Sequence, residues 1–159
     1  MATLGGGRSL PNRLNRLKVA LKAEPALTAT RVSVENDRLV YVLVANKLLH
    51  YQYGKSTIAY IGTTRKGISR IAQSVAARAE RILRLHGVKG FEVRILTCGR
   101  RQNVSTWRKL ERACLIAFRK EFGEVPRFNK QGSKIKESDE FRYFKYGRVI
   151  EVIKNLSDG

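Results

Sequence analysis

The sequence predicts an α+β domain: a small, mainly antiparallel sheet flanked by helices. Two stretches, residues 67–85 and 106–122, repeat apolar residues at three and four positions, the period of one helix face. Residues 39–44, 57–62 and 91–95 carry β-branched and aromatic residues at strand length. Their order, strand, strand, helix, strand, helix, places helices against a sheet.

The elements follow in chain order. Residues 1–9 are rich in glycine. Residues 12–23 read as a short basic helix, with Leu14, Leu17 and Leu21 as its stripe, Arg13, Arg16, Lys18 and Lys22 as its charge, and Pro25 beyond its end. It reads either as a solvated amphipathic helix or as an arm that contacts DNA. Residues 29–35 form a strand and 35–38 a turn. Residues 39–44 are apolar on both faces, which suits a central strand. Residues 45–56 read as a loop ending in the turn signal Gly54, Lys55, Ser56, so 39–44 and 57–62 form an antiparallel hairpin with a long connection.

The helix from Gly67 has Ile68, Ile71, Ala72, Val75, Ala79 and Ile82 as its buried stripe, with Arg70, Ser74 and Arg81 off it. Gly87 and Gly90 break the chain before the third strand, and a basic loop over 99–103 follows that strand. In the helix over 106–122, Leu110, Cys114, Leu115, Phe118 and Phe122 face the core, and Gly123 caps the end. Residues 149–153 form a last strand or helix. The domain organisation is a basic N-terminal arm (1–25), a core (26–130), and a basic and aromatic extension packed on it (131–159).

Thirty-two Lys and Arg against thirteen Asp and Glu give the 159-residue chain a net charge of +19, while 43% of it is hydrophobic. That combination describes a folded domain that attracts polyanions, of which nucleic acid is the commonest. A nuclease and a non-catalytic binding protein in a nucleoprotein assembly share this signature. Cys98 and Cys114 form no CxxC pair, and His50 and His86 have no zinc spacing, which argues against a structural metal or a disulfide framework. No run of eighteen apolar residues and no apolar signal core occur. The expectation is an intracellular, cytoplasmic protein without a membrane partner.

The chemistry is narrowed by what is missing. Between Tyr41 and Phe91 the only acidic residue is Glu80, so convergent carboxylates for a two-metal site are absent there. No phosphate-binding GxxxxGK[ST] loop occurs, and no Ser-His-Asp arrangement is supported. Chemistry on a phosphate would have to use tyrosines, arginine and very few carboxylates.

Tyr60, Ile61 and Gly62, then Arg70 in the next helix, Glu111 in a later one, and Pro126 and Asn129 beyond Gly123, resemble the GIY-YIG endonucleases. The resemblance covers about residues 39–130. The family's first motif is degraded: either Tyr41, within a strand, or Tyr51, nearer the usual spacing, stands for its tyrosine, and Tyr41 is favoured by its surroundings.

The resemblance implies metal-dependent hydrolysis of DNA. Glu111 would bind one Mg²⁺ or Mn²⁺, hard cations that prefer oxygen. Arg70 would hold the scissile phosphate, Tyr41 would take the proton of the attacking water, Tyr60 would orient water or phosphate, and Asn129 would support the phosphate or the metal shell. Arg65, Lys66, Ser74, Arg100, Arg101, Arg108, Lys109, Arg112 and Lys130 would contact nucleic acid around it, with Arg127, Lys134 and Lys136 beyond. One site cuts one strand, so double-strand cleavage would need a homodimer, a larger assembly or two successive nicks.

Overall fold

The computed structural model describes residues 18–25, 37–131 and 135–158. The chain divides into two compact units, Met1–Val32 and Ser33–Gly159. Of the first, residues 18–25 are described, and they form neither helix nor strand. The helix expected over 12–23 is therefore not formed over 18–23, and 12–17 lie outside the described residues. Val19 and Leu21 are each 98% exposed, and a short segment without a covered apolar face lacks what stabilises a helix in water. The strand expected over 29–35 also lies outside the described residues.

The second unit is α+β. Strands β1 (Leu39–Tyr51) and β2 (Gly54–Thr64) precede helix α1 (Gly67–Leu83). Strand β3 (Phe91–Leu96), helix α2 (Thr106–Phe122), the short α3 (Glu140–Tyr143) and α4 (Tyr146–Ser157) follow. The sheet is antiparallel with strand order β2-β1-β3, so β1 is central, as its two apolar faces imply. Val40, Val42, Leu43, Ile58, Ile61, Phe118 and Ile153 are fully buried. Each such side chain contributes roughly 1.5–3 kcal/mol relative to exposure.

The long loop expected over 45–56 is instead strand. Both strands continue to a two-residue turn at Gln52 and Tyr53, with Tyr51 paired to Gly54. Between the pairs Val44–Ile58 and Leu49–Ser56, β1 carries four residues and β2 only Thr57, so the surplus is held in a bulge rather than a loop. Asn46 anchors the bulge: its Oδ1 accepts the N–H groups of Lys89 and Gly90 at 3.0 and 3.2 Å. The hairpin tip is tied to the end of α2. Tyr53 N–H donates to the Phe122 carbonyl at 3.0 Å, and Gln52 N–H to Glu124 Oε1 at 3.0 Å. Gly123 ends α2 in the left-handed region (φ 84°), and a Cβ there would stand 2.9 Å from Gln52 Cβ.

Helix α1 buries most of the expected stripe, with Ile71 and Ile82 buried and Val75 and Ala79 half-buried, but Ile68 is 52% exposed and Ala72 is also exposed, while Ser74 is buried and Arg78 half-buried. The inward face carries polar groups that bond one another, which a count of apolar residues misses. Residues 149–153 lie within a helix, α4, which packs on α2 and β2. There Ser157 Oγ lies 2.8 Å from Ser56 Oγ, and Thr57 Oγ1 donates to the Leu156 carbonyl at 2.6 Å. No helix among the described residues is long and apolar enough to cross a membrane.

Candidate active site

Strand register places the two tyrosines. Tyr41 stands opposite Gly62 and Leu43 opposite Tyr60, so both rings lie on one face of the hairpin. Their centroids are 5.9 Å apart at 42°. Gly62 is what allows this. A Cβ at that position would stand 2.6 Å from Tyr60 Cε1 and 2.8 Å from both Tyr41 Cζ and its hydroxyl. The requirement is close approach rather than unusual backbone.

Asn129 holds the same corner from outside. Its Oδ1 accepts the Ile61 N–H at 3.0 Å and its Nδ2 donates to the Ile61 carbonyl at 2.7 Å, as a neighbouring strand would. Phe128 N–H adds a bond to the Ala59 carbonyl at 3.0 Å. Asn129 therefore positions the Tyr60–Gly62 segment, and its amide is spent on backbone.

From α1 come Ser74 and Arg78. The Tyr41 hydroxyl donates to Ser74 Oγ at 2.6 Å, and Arg78 Nη1 donates to the same oxygen at 2.7 Å and to the Ser74 carbonyl at 3.1 Å. The Arg78 guanidinium also lies 3.8 Å from the Tyr60 ring centroid, within cation–π range. Ser74 is buried, so the expected surface contact to nucleic acid is corrected: it is an internal link between Tyr41 and Arg78. Burial, reinforced by Tyr41, pushes the Tyr60 phenol up to about 12 against the opposing pull of Arg78, with Glu111 adding to the rise. Tyr60 thus stays protonated and acts as a donor.

From α2 comes Glu111. It is half-buried and takes part in no hydrogen bond or ion pair among the described residues. The neighbours that might have neutralised it turn elsewhere. Lys109 pairs with Asp139 at 2.5 Å, and Arg112 with Glu140 at 2.6 Å. Burial pushes the Glu111 carboxyl up to about 7, with Arg108 and Arg112 only partly opposing. The rise comes from burial that the two arginines do not offset, and such a shifted carboxyl within electrostatic reach of Tyr60 marks a candidate site.

Arg70 is placed differently from the expectation. It is exposed, its Nη1 is 3.4 Å from Gln73 Oε1, and it lines a cleft of about 520 Å³ with Thr63, Lys66, Trp107 and Arg108. Neither Tyr60 nor Glu111 lines that cleft. Arg108 connects the two places, because it lines the cleft and is the strongest positive influence on Glu111. Arg78, not Arg70, is the guanidinium on the tyrosines. Positions 70, 74 and 78 lie one turn apart on α1, and that spacing is the signal that would have found it.

The rest of the expected binding set divides. Arg65 and Lys66 are exposed at the cleft, Lys130 is exposed, and Arg100 and Arg101 are exposed in a second cleft. Lys109 and Arg112 are engaged with the C-terminal segment, Arg112 also through the Lys136 carbonyl at 2.8 Å. Arg127 donates to the His50 carbonyl at 3.1 Å. Lys134 lies outside the described residues.

Tyr51, the other candidate for the first motif, sits at the far end of the hairpin. Its hydroxyl donates to the Ile58 carbonyl at 2.5 Å and accepts the Arg127 N–H at 3.2 Å. Its ring packs on Phe118 and Phe122. Burial pushes its phenol up to about 12 as well. Cys114 is a buried free thiol, pushed up to about 12 chiefly by that burial. Among the described residues no three His, Cys, Asp or Glu side chains converge as a metal cage. No family model, no curated protein and no solved structure matches the chain.

Proposed function

We propose that this protein is an intracellular GIY-YIG-type endonuclease that hydrolyses phosphodiester bonds in DNA with one divalent metal ion. The observation that carries the reading is Glu111: a half-buried carboxylate without an ion pair among the described residues, within electrostatic reach of Tyr60 in a strongly basic chain. The element order hairpin, helix, strand, helix supports it, as does the clash that forbids any side chain at Gly62.

A single divalent cation fits this donor set. Among the described residues Glu111 makes no hydrogen bond or ion pair, and Mg²⁺ is commonly held by one or two carboxylates, with water and substrate phosphate completing its shell. Glu111 would hold Mg²⁺ or Mn²⁺, which supplies charge neutralisation at the phosphate and at the leaving oxygen. The chain's own side chains do the rest. Arg70 and Arg108 draw the phosphodiester into the cleft and hold its charge. Tyr60, held protonated, donates a hydrogen bond to water or phosphate. Tyr41 takes a proton from the attacking water. Arg78 places positive charge two hydrogen bonds from that hydroxyl, through Ser74.

A second reading, a non-catalytic basic protein of a nucleoprotein assembly, is favoured by one observation: Arg70 lines a cleft that Glu111 does not reach. Nicking of plasmid and of single-stranded circular DNA, with Mg²⁺ and with chelator, separates the two. Metal-dependent nicking that Glu111→Gln abolishes, with DNA affinity retained, is the expected result. In chelator Glu111→Gln is also expected to be more stable than the parent at pH 8. A carboxyl raised on folding destabilises the fold as pH climbs from its unfolded value toward 7, and glutamine removes that cost. Tight DNA binding without nicking would establish the second reading.

A further inference from the structure

The chain has one tryptophan, and it stands where two basic clefts meet. The first cleft, about 520 Å³, is lined on its charged side by Arg65, Lys66, Arg70 and Arg108. The second, about 430 Å³, is lined by Arg38, Arg100 and Arg101, with the exposed amides of Gln102 and Asn103. Trp107 belongs to both linings, and neither contains an acidic residue. Its indole is partly exposed and lies outside the hydrophobic core, so packing does not account for it. The Arg38 guanidinium lies 4.8 Å from the ring centroid.

We infer that Trp107 is a stacking platform for an unpaired base, and that the substrate is single-stranded or branched nucleic acid. The chemistry is complementary on both counts. Seven cations along the two clefts match the phosphates of one strand passing from one to the other. An indole flanked by a guanidinium offers a π-surface to any base, whatever its sequence. A base within an intact duplex is already stacked on its neighbours and has no free face, so the platform selects strands whose bases are splayed. The inference deepens the nuclease reading and rests on it for the fate of the strand; the binding step needs neither metal nor cleavage.

The single tryptophan makes the test direct. The full chain, in chelator, is titrated with a thymidine oligonucleotide, the same oligonucleotide made abasic, a blunt duplex, and heparin as a base-free polyanion. Trp107 emission is expected to be quenched by the thymidine strand and little changed by the other three at saturation, with saturation read by displacement of a labelled strand. Trp107→Leu is expected to weaken single-strand binding about tenfold or more while duplex binding changes less than about threefold, and Trp107→Phe to restore most of the loss. Equal quenching by heparin or the abasic strand overturns the inference, as does equal weakening for strand and duplex. The quenching experiment uses the unaltered chain, so it decides even if a variant fails to fold. Quenching without any metal-dependent cleavage would sink the nuclease reading alone; cleavage without quenching would sink the platform alone.

Discussion

The two ends of the β1–β2 hairpin each carry a strand tyrosine, and they are built on opposite terms. At the Tyr51 end the tyrosine is fully engaged within the fold: its hydroxyl bridges Ile58 and Arg127, its ring lies on Phe118 and Phe122, and the turn is bonded to the end of α2. At the Tyr41–Tyr60 end the rings crowd a glycine, an arginine lies on one of them, and the Glu111 carboxylate makes no ion pair among the described residues. Two tyrosines of similar burial thus have different uses. One end spends its polar groups on stability, and the other keeps charge unspent for something that arrives.

The largest expected effect breaks the second end alone. Gly62→Ala pushes a methyl into both rings and is expected to cost about 1–3 kcal/mol of stability. It should also lower single-turnover cleavage by more than about a hundredfold, since a small misplacement of reacting groups is enough for that. A variant that keeps its thermal midpoint and its rate would show that the rings are free to move aside.

Next in size is the tyrosine comparison itself. Tyr41→Phe is expected to cripple the chemical step with modest loss of stability. Tyr51→Phe should cleave normally but unfold more easily by about 1–3 kcal/mol, because the Ile58 carbonyl loses its donor and the Arg127 N–H its acceptor. Single-turnover rates and denaturant midpoints on the same preparations decide. The reverse pattern would move the chemistry to the hairpin tip.

The arginines sharpen the contrast further. Arg78→Ala should slow the chemical step about 10²-fold at saturating DNA. Arg70→Ala should chiefly weaken DNA binding, with the saturated rate nearly kept, because Arg70 lies in the cleft rather than on the tyrosines. A collapse of the saturated rate in Arg70→Ala with Arg78→Ala unaffected would restore the order that the sequence suggests.

The smallest effect lies away from both ends. Glu140 is buried, and burial alone would raise its carboxyl, but the Ser138 N–H and the Arg112 guanidinium outweigh that and hold it below its ordinary value. A carboxyl lowered on folding adds stability above its unfolded value near 4.5, and that stability fades as pH falls through the folded value. The parent should therefore lose more stability between pH 6 and pH 3 than Glu140→Gln does, read as thermal midpoints across that range. Parallel curves would leave the Arg112 pair without weight.

Much of the fold was legible in the sequence where one physical signal ruled. The helix expected over 106–122 and the alternation at Phe91, Val93 and Ile95 coincide with α2 and β3, because core packing set both patterns. The hairpin tip was illegible. Asn46, Lys47 and the Gly54–Ser56 signal look like loop; the pairing of Leu49, His50 and Tyr51 with Ser56, Lys55 and Gly54 carries the strands to the tip, and bonds from Asn46 to Lys89 and Gly90 and from the turn to the end of α2 hold it. In the site, Tyr60, Tyr41 and Glu111 could be named in advance. Arg78 was passed over, because one arginine among many reads as surface charge unless its place one turn beyond Ser74 is weighed.

Asn129 carries a consequence for timing. It stands 68 residues after Ile61, yet its amide is what closes the outer side of the Tyr60–Gly62 segment. During synthesis the hairpin and α1 leave the ribosome long before this residue does. Until it emerges, the Ile61 N–H and carbonyl face water, and the corner on which both tyrosines depend lacks its outer brace. A nascent or truncated chain ending before Asn129 already carries most of the Lys and Arg of the sequence, but the Tyr60–Gly62 corner is still unbraced. On the proposed function, such a chain would hold its affinity for nucleic acid before its chemistry.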